Sequence, residues 1–393
     1  MLCAVLGAVL WNGGYCAAAP ELVSVPSQDG RLKIPAYWFQ ADAAGRRPAV
    51  ISLHGCGGAL DAQGRLSASR SREAGYFNAE KMHFLVPDSF TPRGLKSICA
   101  TATNMRTVYE EDRREDVFAA IQWLAAHPAV DKERIALVGR SHGAQTVLSV
   151  LDATARTVQA QPVQPRAAVA FYPGCSKFLQ MWNYQISAPL LLMIGELDDW
   201  TPAERCVSLR DRLQGRKTGP PFELVVFPGS YHGFDGTEPV HRRDNVSTRL
   251  GTATVGGNPE ARERAHQLMF DFLAARLETP LVLTHEQRLK GHRYAIPPAS
   301  GFAGFDDVAA VPLGENGRAR YQHYLGLTPP KAFAITEKGG WYFSSANADA
   351  MRAAMERCEK AGVKCWLYAV DERVVWQAEV GARIDSAKLH PTP

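Results

Sequence analysis

Five residues, Gly139-Arg140-Ser141-His142-Gly143, stand directly between the apolar run Arg134-Ile-Ala-Leu-Val138 and the stretch Ala144-Gln-Thr-Val-Leu148. A G-x-S-x-G in that setting predicts a serine on a turn so tight that side chains at the two glycine positions would clash. The turn lifts the Ser141 hydroxyl above the edge of a sheet and aims the next backbone N–H at a developing oxyanion. A buried strand that feeds straight into a helix belongs to α/β architecture, so the pentapeptide constrains the fold before it constrains the chemistry.

The rest of the chain repeats this alternation. Short apolar runs predict buried strands at 47–54, 83–88, 134–139, 166–172, 188–195 and 222–227, with helical stretches between most of them. A helix over 111–126 carries Val117, Ile121 and Leu124 on one face and opens with Glu111, Asp112 and Glu115, charges that suit a helix N-terminus. Another over 259–278 carries Leu268, Met269, Phe272 and Leu273 at helical spacing. Residues 21–41 alternate loosely and suit an antiparallel hairpin at a sheet edge. The expected fold class is α/β, a mostly parallel sheet with helices on both faces.

In such a sheet, ligands gather beyond the C-terminal ends of the strands. Two titratable residues stand there. The run Ala188–Ile194 ends in Gly195-Glu196-Leu197-Asp198-Asp199, and Phe222–Phe227 ends in Pro228-Gly229-Ser230-Tyr231-His232. A serine hydroxyl needs an imidazole to take its proton, and the imidazole needs a carboxylate to fix its tautomer. Ser141, Asp198 and His232 supply all three, with Asp88 and Asp199 as rivals for the acid. Their order along the chain is that of α/β-hydrolases. Upstream, the strand Ala49–Leu53 runs into His54-Gly55-Cys56-Gly57-Gly58. This glycine-rich turn lets a backbone N–H of Cys56, or secondly of Gly57, complete an oxyanion hole with that of His142. The remaining histidines lack a strand-end glycine setting and are read as surface or structural.

The chain resembles the dienelactone hydrolase family of α/β-hydrolases. The stretches that carry the resemblance are LHGCGG at 53–58, PDSFTPRG at 87–94, VGRSHGA at 138–144, GELDDWTP at 195–202 and FPGSYHGFD at 227–235. They lie in order within residues 24–278. The resemblance implies a nucleophile at Ser141, an acid at Asp198 and a base at His232. It favours Asp198 over Asp199, because the family's acid lies three residues past the strand-end glycine. Two positions depart from the enzymes that gave the family its name. Those use a cysteine nucleophile and place a glutamate in the oxyanion loop, where this chain has Ser141 and Gly55. A general ester or lactone hydrolase fits these departures better than specialised dienelactone cleavage. Arg93 is a candidate to grip a substrate carboxylate, with a surface pairing to Asp88 as the competing expectation.

Among 393 residues the net charge is only +4, with no run of five like charges, so nucleic acid is not an expected partner. Leu2–Trp11 is apolar but too short to span a bilayer, and it runs into Cys16-Ala17-Ala18-Ala19. Residues 1–19 therefore read as a secretory signal, although the positive n-region is missing. No other segment approaches the length of an apolar span, which implies a soluble mature protein without a membrane partner, periplasmic or secreted. Beyond residue 19 six cysteines remain, an even number suited to disulfides in an oxidising compartment. The preferred pairs are Cys56–Cys99, Cys175–Cys206 and Cys358–Cys365. Zinc is the alternative, but no CxxC or HxxxH spacing supports it, and the expected chemistry needs no cofactor or metal.

The expected organisation is a signal peptide at 1–19, a hydrolase domain at 20–278, a Pro- and Gly-rich linker at 279–330 and a small α+β module at 331–385. That module reads as a hairpin, a helix at 347–361 and two further strands, with Trp341, Tyr342, Trp366 and Trp376 as core. The function that fits best is an exported serine hydrolase acting on a small-molecule carboxylic ester or lactone. A peptidase on the same triad and a non-catalytic binding protein on a hydrolase scaffold are the alternatives.

Overall fold

The computed structural model describes residues 20–216, 219–283, 294, 296–327, 330–345 and 349–389. The expected signal segment lies outside the described residues. Two compact units divide the chain, one ending at Val282 and the other beginning at Leu283.

The first unit is built on an eight-stranded sheet. Its strands are β1 (Glu21–Pro26), β2 (Lys33–Phe39), β3 (Arg47–Leu53), β4 (His83–Pro87), β5 (Val130–Arg140), β6 (Ala167–Phe171), β7 (Leu190–Gly195) and β8 (Phe222–Phe227). Their spatial order is β1-β2-β4-β3-β5-β6-β7-β8. The edge hairpin β1–β2 is antiparallel, as is its pairing with β4, and every pairing from β4 to β8 is parallel. Every residue of β4, β6 and β7 is buried. Covering both faces of a parallel sheet with helices leaves such strands no solvent side, and their unbroken apolar runs follow from that.

The helices of this unit are α1 (Ala68–Ala79), α2 (Glu110–Ala126), α3 (His142–Val150), α4 (Arg156–Gln159), α5 (Ser176–Gln180), α6 (Ala203–Gly215) and α7 (Pro259–Arg276). Local chemistry fixes their starts. Pro259 opens α7, and the Asn258 side chain accepts the N–H of Ala261. At α2 the Asp112 carboxylate accepts the Tyr109 N–H. Two parts of this unit are not named in the sequence expectations. One is α1, whose buried face carries Arg70 and Glu73 beside Ala74 and Phe77. The other is an arm between β8 and α7, formed by β9 (His241–Asp244) and β10 (Thr252–Val255).

The second unit holds an antiparallel sheet of β11 (Ala332–Thr336), β12 (Trp341–Ser344), β13 (Cys365–Val370) and β14 (Arg373–Val374), in the order β12-β11-β13-β14. Among its described residues it carries the helices α8 (Glu315–Leu325) and α9 (Ala350–Glu359). Side chains alternate between two cores. Ala334 and Leu367 pack with Met351 and Met355 of α9, while Phe333, Trp366 and Tyr368 pack with Tyr321 and Tyr324 of α8. Cys358–Cys365 ties α9 to β13. The stretch expected as linker therefore contributes a helix to this core. Val311, Leu313, Tyr321 and Tyr324 are buried there, and their apolar bulk needs a sheet face to cover it.

Candidate active site

Ser141 occupies the single residue between β5 and α3, at φ 54° and ψ −119°. That left-handed conformation is costly for a residue with a Cβ and persists only where its surroundings enforce it. The glycines on either side are required by close packing. A Cβ on Gly139 would overlap the Gly143 carbonyl, and one on Gly143 would overlap the Leu53 carbonyl of β3. The Ser141 N–H donates to the Phe171 carbonyl at 2.9 Å, locking the turn to the end of β6.

The loops after β7 and β8 converge on this serine. His232 Nε2 lies 3.0 Å from Ser141 Oγ, and His232 Nδ1 lies 2.8 Å from Asp198 Oδ2. Asp198 is held in turn by the N–H groups of Trp200 and Thr201, at 3.0 and 2.7 Å on Oδ1. The Thr201 hydroxyl stands 2.9 Å from Oδ2. The imidazole is boxed by the rings of Tyr172 and Trp200, whose centroids lie 4.6 and 4.8 Å away. Asp199 faces elsewhere. Its carboxylate accepts the N–H and hydroxyl of Thr254 and so anchors the β9–β10 arm. Asp88 is also engaged elsewhere, on the Thr91 hydroxyl and the N–H groups of Phe90 and Thr91.

The N–H groups of Cys56 and His142 donate to no acceptor among the described residues, and both residues border the cavity beside Ser141. Gly57 does not line it. A Cβ at Gly55 would sit 3.5 Å from Ser141 Cβ, so the position of the family's loop glutamate does face Ser141. Cys56–Cys99 and Cys175–Cys206 are both formed, and Cys56 and Cys175 line the cavity.

Arg93 does not serve as the expected substrate grip. Its Nη1 and Nη2 hold the Asp116 carboxylate of α2 at 2.8 and 2.9 Å, Nη1 also donates to the Ser89 carbonyl, and the residue is absent from the cavity wall. The bidentate geometry is spent within the protein, and on Asp116 rather than Asp88.

Two buried groups of residues behind the site escaped the motif reading. Arg140, the second residue of the pentapeptide, donates from Nε to Asp235 at 2.6 Å and from Nη1 to Glu73 at 2.7 Å. Tyr172 donates its hydroxyl to Asp235 at 2.7 Å. Burial pushes the Glu73 and Asp235 carboxyls up, but Arg140, joined by Arg70 at Glu73 and by the Tyr172 hydroxyl at Asp235, outweighs it and holds both below their ordinary values. On the other side, Arg113 donates to His142 Nδ1 and to the His54 carbonyl, both at 2.8 Å. Burial first, and then the Arg113 charge, keep both imidazoles neutral, with pKa values well below 6.5. The available signal for the first network was Asp235, three residues past His232.

A serine hydroxyl, an imidazole and a carboxylate in hydrogen-bonded line, beside two N–H groups with no acceptor among the described residues, form an arrangement able to carry out acyl transfer. The model of the dienelactone hydrolase family matches residues 34–277. Among solved structures the chain is similar to a Klebsiella pneumoniae protein named as a dienelactone hydrolase. Identity is 20%, over 65% of this chain and 98% of that one, with a TM-score of 0.48. It is also similar to the thermophilic esterase Est2 of the planctomycete Thermogutta terrifontis, at 19% identity over 65% of this chain and 92% of that one, with a TM-score of 0.46.

Proposed function

Because the chain belongs to the dienelactone hydrolase family, we propose that it is an exported serine hydrolase that cleaves a carboxylic ester or lactone through an acyl-enzyme. The observation that carries this reading is the line from Ser141 Oγ through His232 to Asp198. His232 Nε2 takes the serine proton as Oγ attacks the carbonyl carbon, while Asp198 keeps Nδ1 protonated and stabilises the imidazolium. The oxyanion forms between the N–H groups of Cys56 and His142, which have no competing acceptor to release. Collapse expels the alkoxide, and His232 gives it the proton. In a lactone the alkoxide stays tethered to the acyl group. Water activated by the same imidazole then attacks the acyl-enzyme, releases the acid and restores the Ser141 hydroxyl.

Export is supported by the three disulfides, which use every cysteine beyond residue 19. Such bonds persist in oxidising compartments. The test of the chemistry is a series of p-nitrophenyl esters of increasing acyl length, run beside a fluorophosphonate probe. Hydrolysis with stoichiometric labelling of Ser141 is expected. Labelling at another serine, or neither labelling nor hydrolysis, sinks the proposal.

A further inference from the structure

We infer that the part of the substrate seated beside Ser141 is hydroxylated, a sugar or polyol moiety rather than an alkyl chain; this rests on the ester-cleaving reading above. A cavity of about 320 Å³ opens next to Ser141; Trp200, Pro202, Cys56 and Cys175 form the apolar part of its wall, and Glu110, Gln145, Arg106 and Lys177 bring polar groups to the same wall. An alkyl chain gains about 0.8 kcal/mol per buried CH₂ only where it meets apolar surface. Here it would meet Trp200 and Pro202, but it would also strip water from the polar side chains beside them and give these no bond in return.

The wall combines donors with acceptors. Glu110 gives Oε1 to Lys177 at 2.9 Å, while its Oε2 lies 3.9 Å from His142 Nε2. Arg113 fixes which nitrogen of His142 carries the proton. A guanidinium only donates, so Nδ1 accepts and the neutral ring bears its proton on Nε2. That N–H is buried without an acceptor among the described residues. At 3.9 Å it is too far from the carboxylate for a direct bond. A hydroxyl can accept from Nε2–H and donate to Oε2 once the Glu110–Lys177 pair shifts to admit it. A carboxylate can only accept and meets the charge of Glu110, and an alkyl group can do neither. Gln145 adds a donor and an acceptor to the same wall, and Gly174 makes room for it, since a Cβ there would overlap the Gln145 amide. Arg106, tied by Nη2 to Ser247 at 2.9 Å, supplies further donors. Sites built to bond hydroxyls discriminate strongly against analogues that lack them.

The test uses the full chain and esters matched in pairs. A monoacetylated hexose is compared with hexyl acetate, methyl gluconate with methyl hexanoate, and the acetate ester of glycolate supplies a carboxylate. In one of the two pairs the hydroxylated ester should lead in kcat/KM by about tenfold or more. Glu110→Leu and Gln145→Leu should shrink that lead, read as the ratio within the pair on protein whose Ser141 still takes the probe. Alkyl partners that match or outrun the hydroxylated esters in both pairs overturn the inference. So does a series led by the carboxylate ester, or a ratio unmoved in both variants. If a variant fails to fold, the native series decides alone. Failure of every ester, p-nitrophenyl acetate included, together with an unlabelled Ser141, overturns the serine-hydrolase reading as well, whereas cleavage of p-nitrophenyl acetate without the hydroxyl preference overturns this inference only.

Discussion

The two units of this chain use their buried polar groups in opposite ways. In the first, buried Glu73, Asp198 and Asp235 bind partners on elements far along the chain, so that the ends of β5, β7 and β8 are tied to one another and to α1. In the second, Lys331 lays its Nζ on the carbonyls of Tyr324 and Leu325, the last turn of α8, and the Asp371 carboxylate accepts the Lys331 N–H. Those bonds finish helix and strand ends, as a cation at a helix C-terminus does. The disulfides divide the same way. Two reach the cavity beside Ser141, and the third closes a helix–strand turn. A unit whose costly buried charges fasten loops together is organised around a site. One that spends them on closing its own elements is organised around its core.

The sharpest way to break that contrast is to remove the proposed nucleophile. Ser141→Ala should lower kcat by about 10⁵-fold or more, with the melting temperature nearly unchanged, because the loss of one member of a triad removes most of what the unit achieves. Retained hydrolysis would show that the strained serine is not the reacting group. Next come the adjacent aspartates. Asp198→Asn should cost about 10⁴-fold in kcat by releasing the His232 tautomer. Asp199→Asn, which loosens only the Thr254 anchor of the arm, should cost about tenfold at most. Equal losses would mean that the arm, and not the imidazole alone, governs the chemistry.

A third effect falls on stability. Arg140→Leu leaves Asp235 buried without its cation and Glu73 with Arg70 alone, and should cost about 3–5 kcal/mol in denaturant unfolding. Its pH dependence has a definite sign. In the native chain these carboxyls are held below their unfolded values, so their contribution is present above the unfolded carboxyl range and lost as pH falls through the folded values. In the variant, loss of Arg140 leaves both higher than in the native chain. Its deficit relative to the native chain should therefore shrink as the pH falls. A deficit that stays constant down to about pH 4 would show that these carboxyls do not couple to folding.

Much of this was legible because the signal was local. The parallel strands are short apolar runs with no solvent face, and the serine turn carries its two glycines in five residues. The preference for Asp198 came from the family resemblance, in which the acid lies three residues past the strand-end glycine, and the structure gives the physical difference between neighbours, one carboxylate turned to His232 and the other to Thr254. What escaped the sequence depends on partners far away. Helix α1 presents Arg70 and Glu73 inward, so its buried face does not look apolar. β9 is exposed at all four of its residues, and such a strand has no hydrophobic alternation to read. Arg93 carried a true bidentate tendency, but the carboxylate it meets lies 23 residues away on α2. The helix α8 was hidden by a polar, proline-flanked stretch whose few aromatics acquire meaning only against β11 and β13.

Smaller effects test the independence of the second unit. Replacing Cys358 and Cys365 together by alanine should lower its stability by about 2–3 kcal/mol, the entropic value of so short a loop. Esterase activity should not change. A loss of activity in step with the unfolding of that sheet would couple the two units.

The smallest expected effect is that of removing the second unit altogether. A chain ending at Val282 keeps β1–β10, α1–α7, two disulfides and every residue assigned here to the chemistry. Leu281 packs on the core of the first unit, and the Glu80 carboxylate accepts the Val282 N–H, so the cut keeps both. Its kcat on a small ester, measured well below its melting temperature and normalised to probe-labelled Ser141, should stay within about twofold of the full chain. A stability loss alone leaves the contrast standing, since newly exposed surface costs free energy without touching the reacting atoms. Truncated protein that folds and takes the probe yet hydrolyses nothing would break it, because deacylation or substrate capture would then depend on groups beyond Val282, and the organisation of the site could no longer be ascribed to the first unit alone.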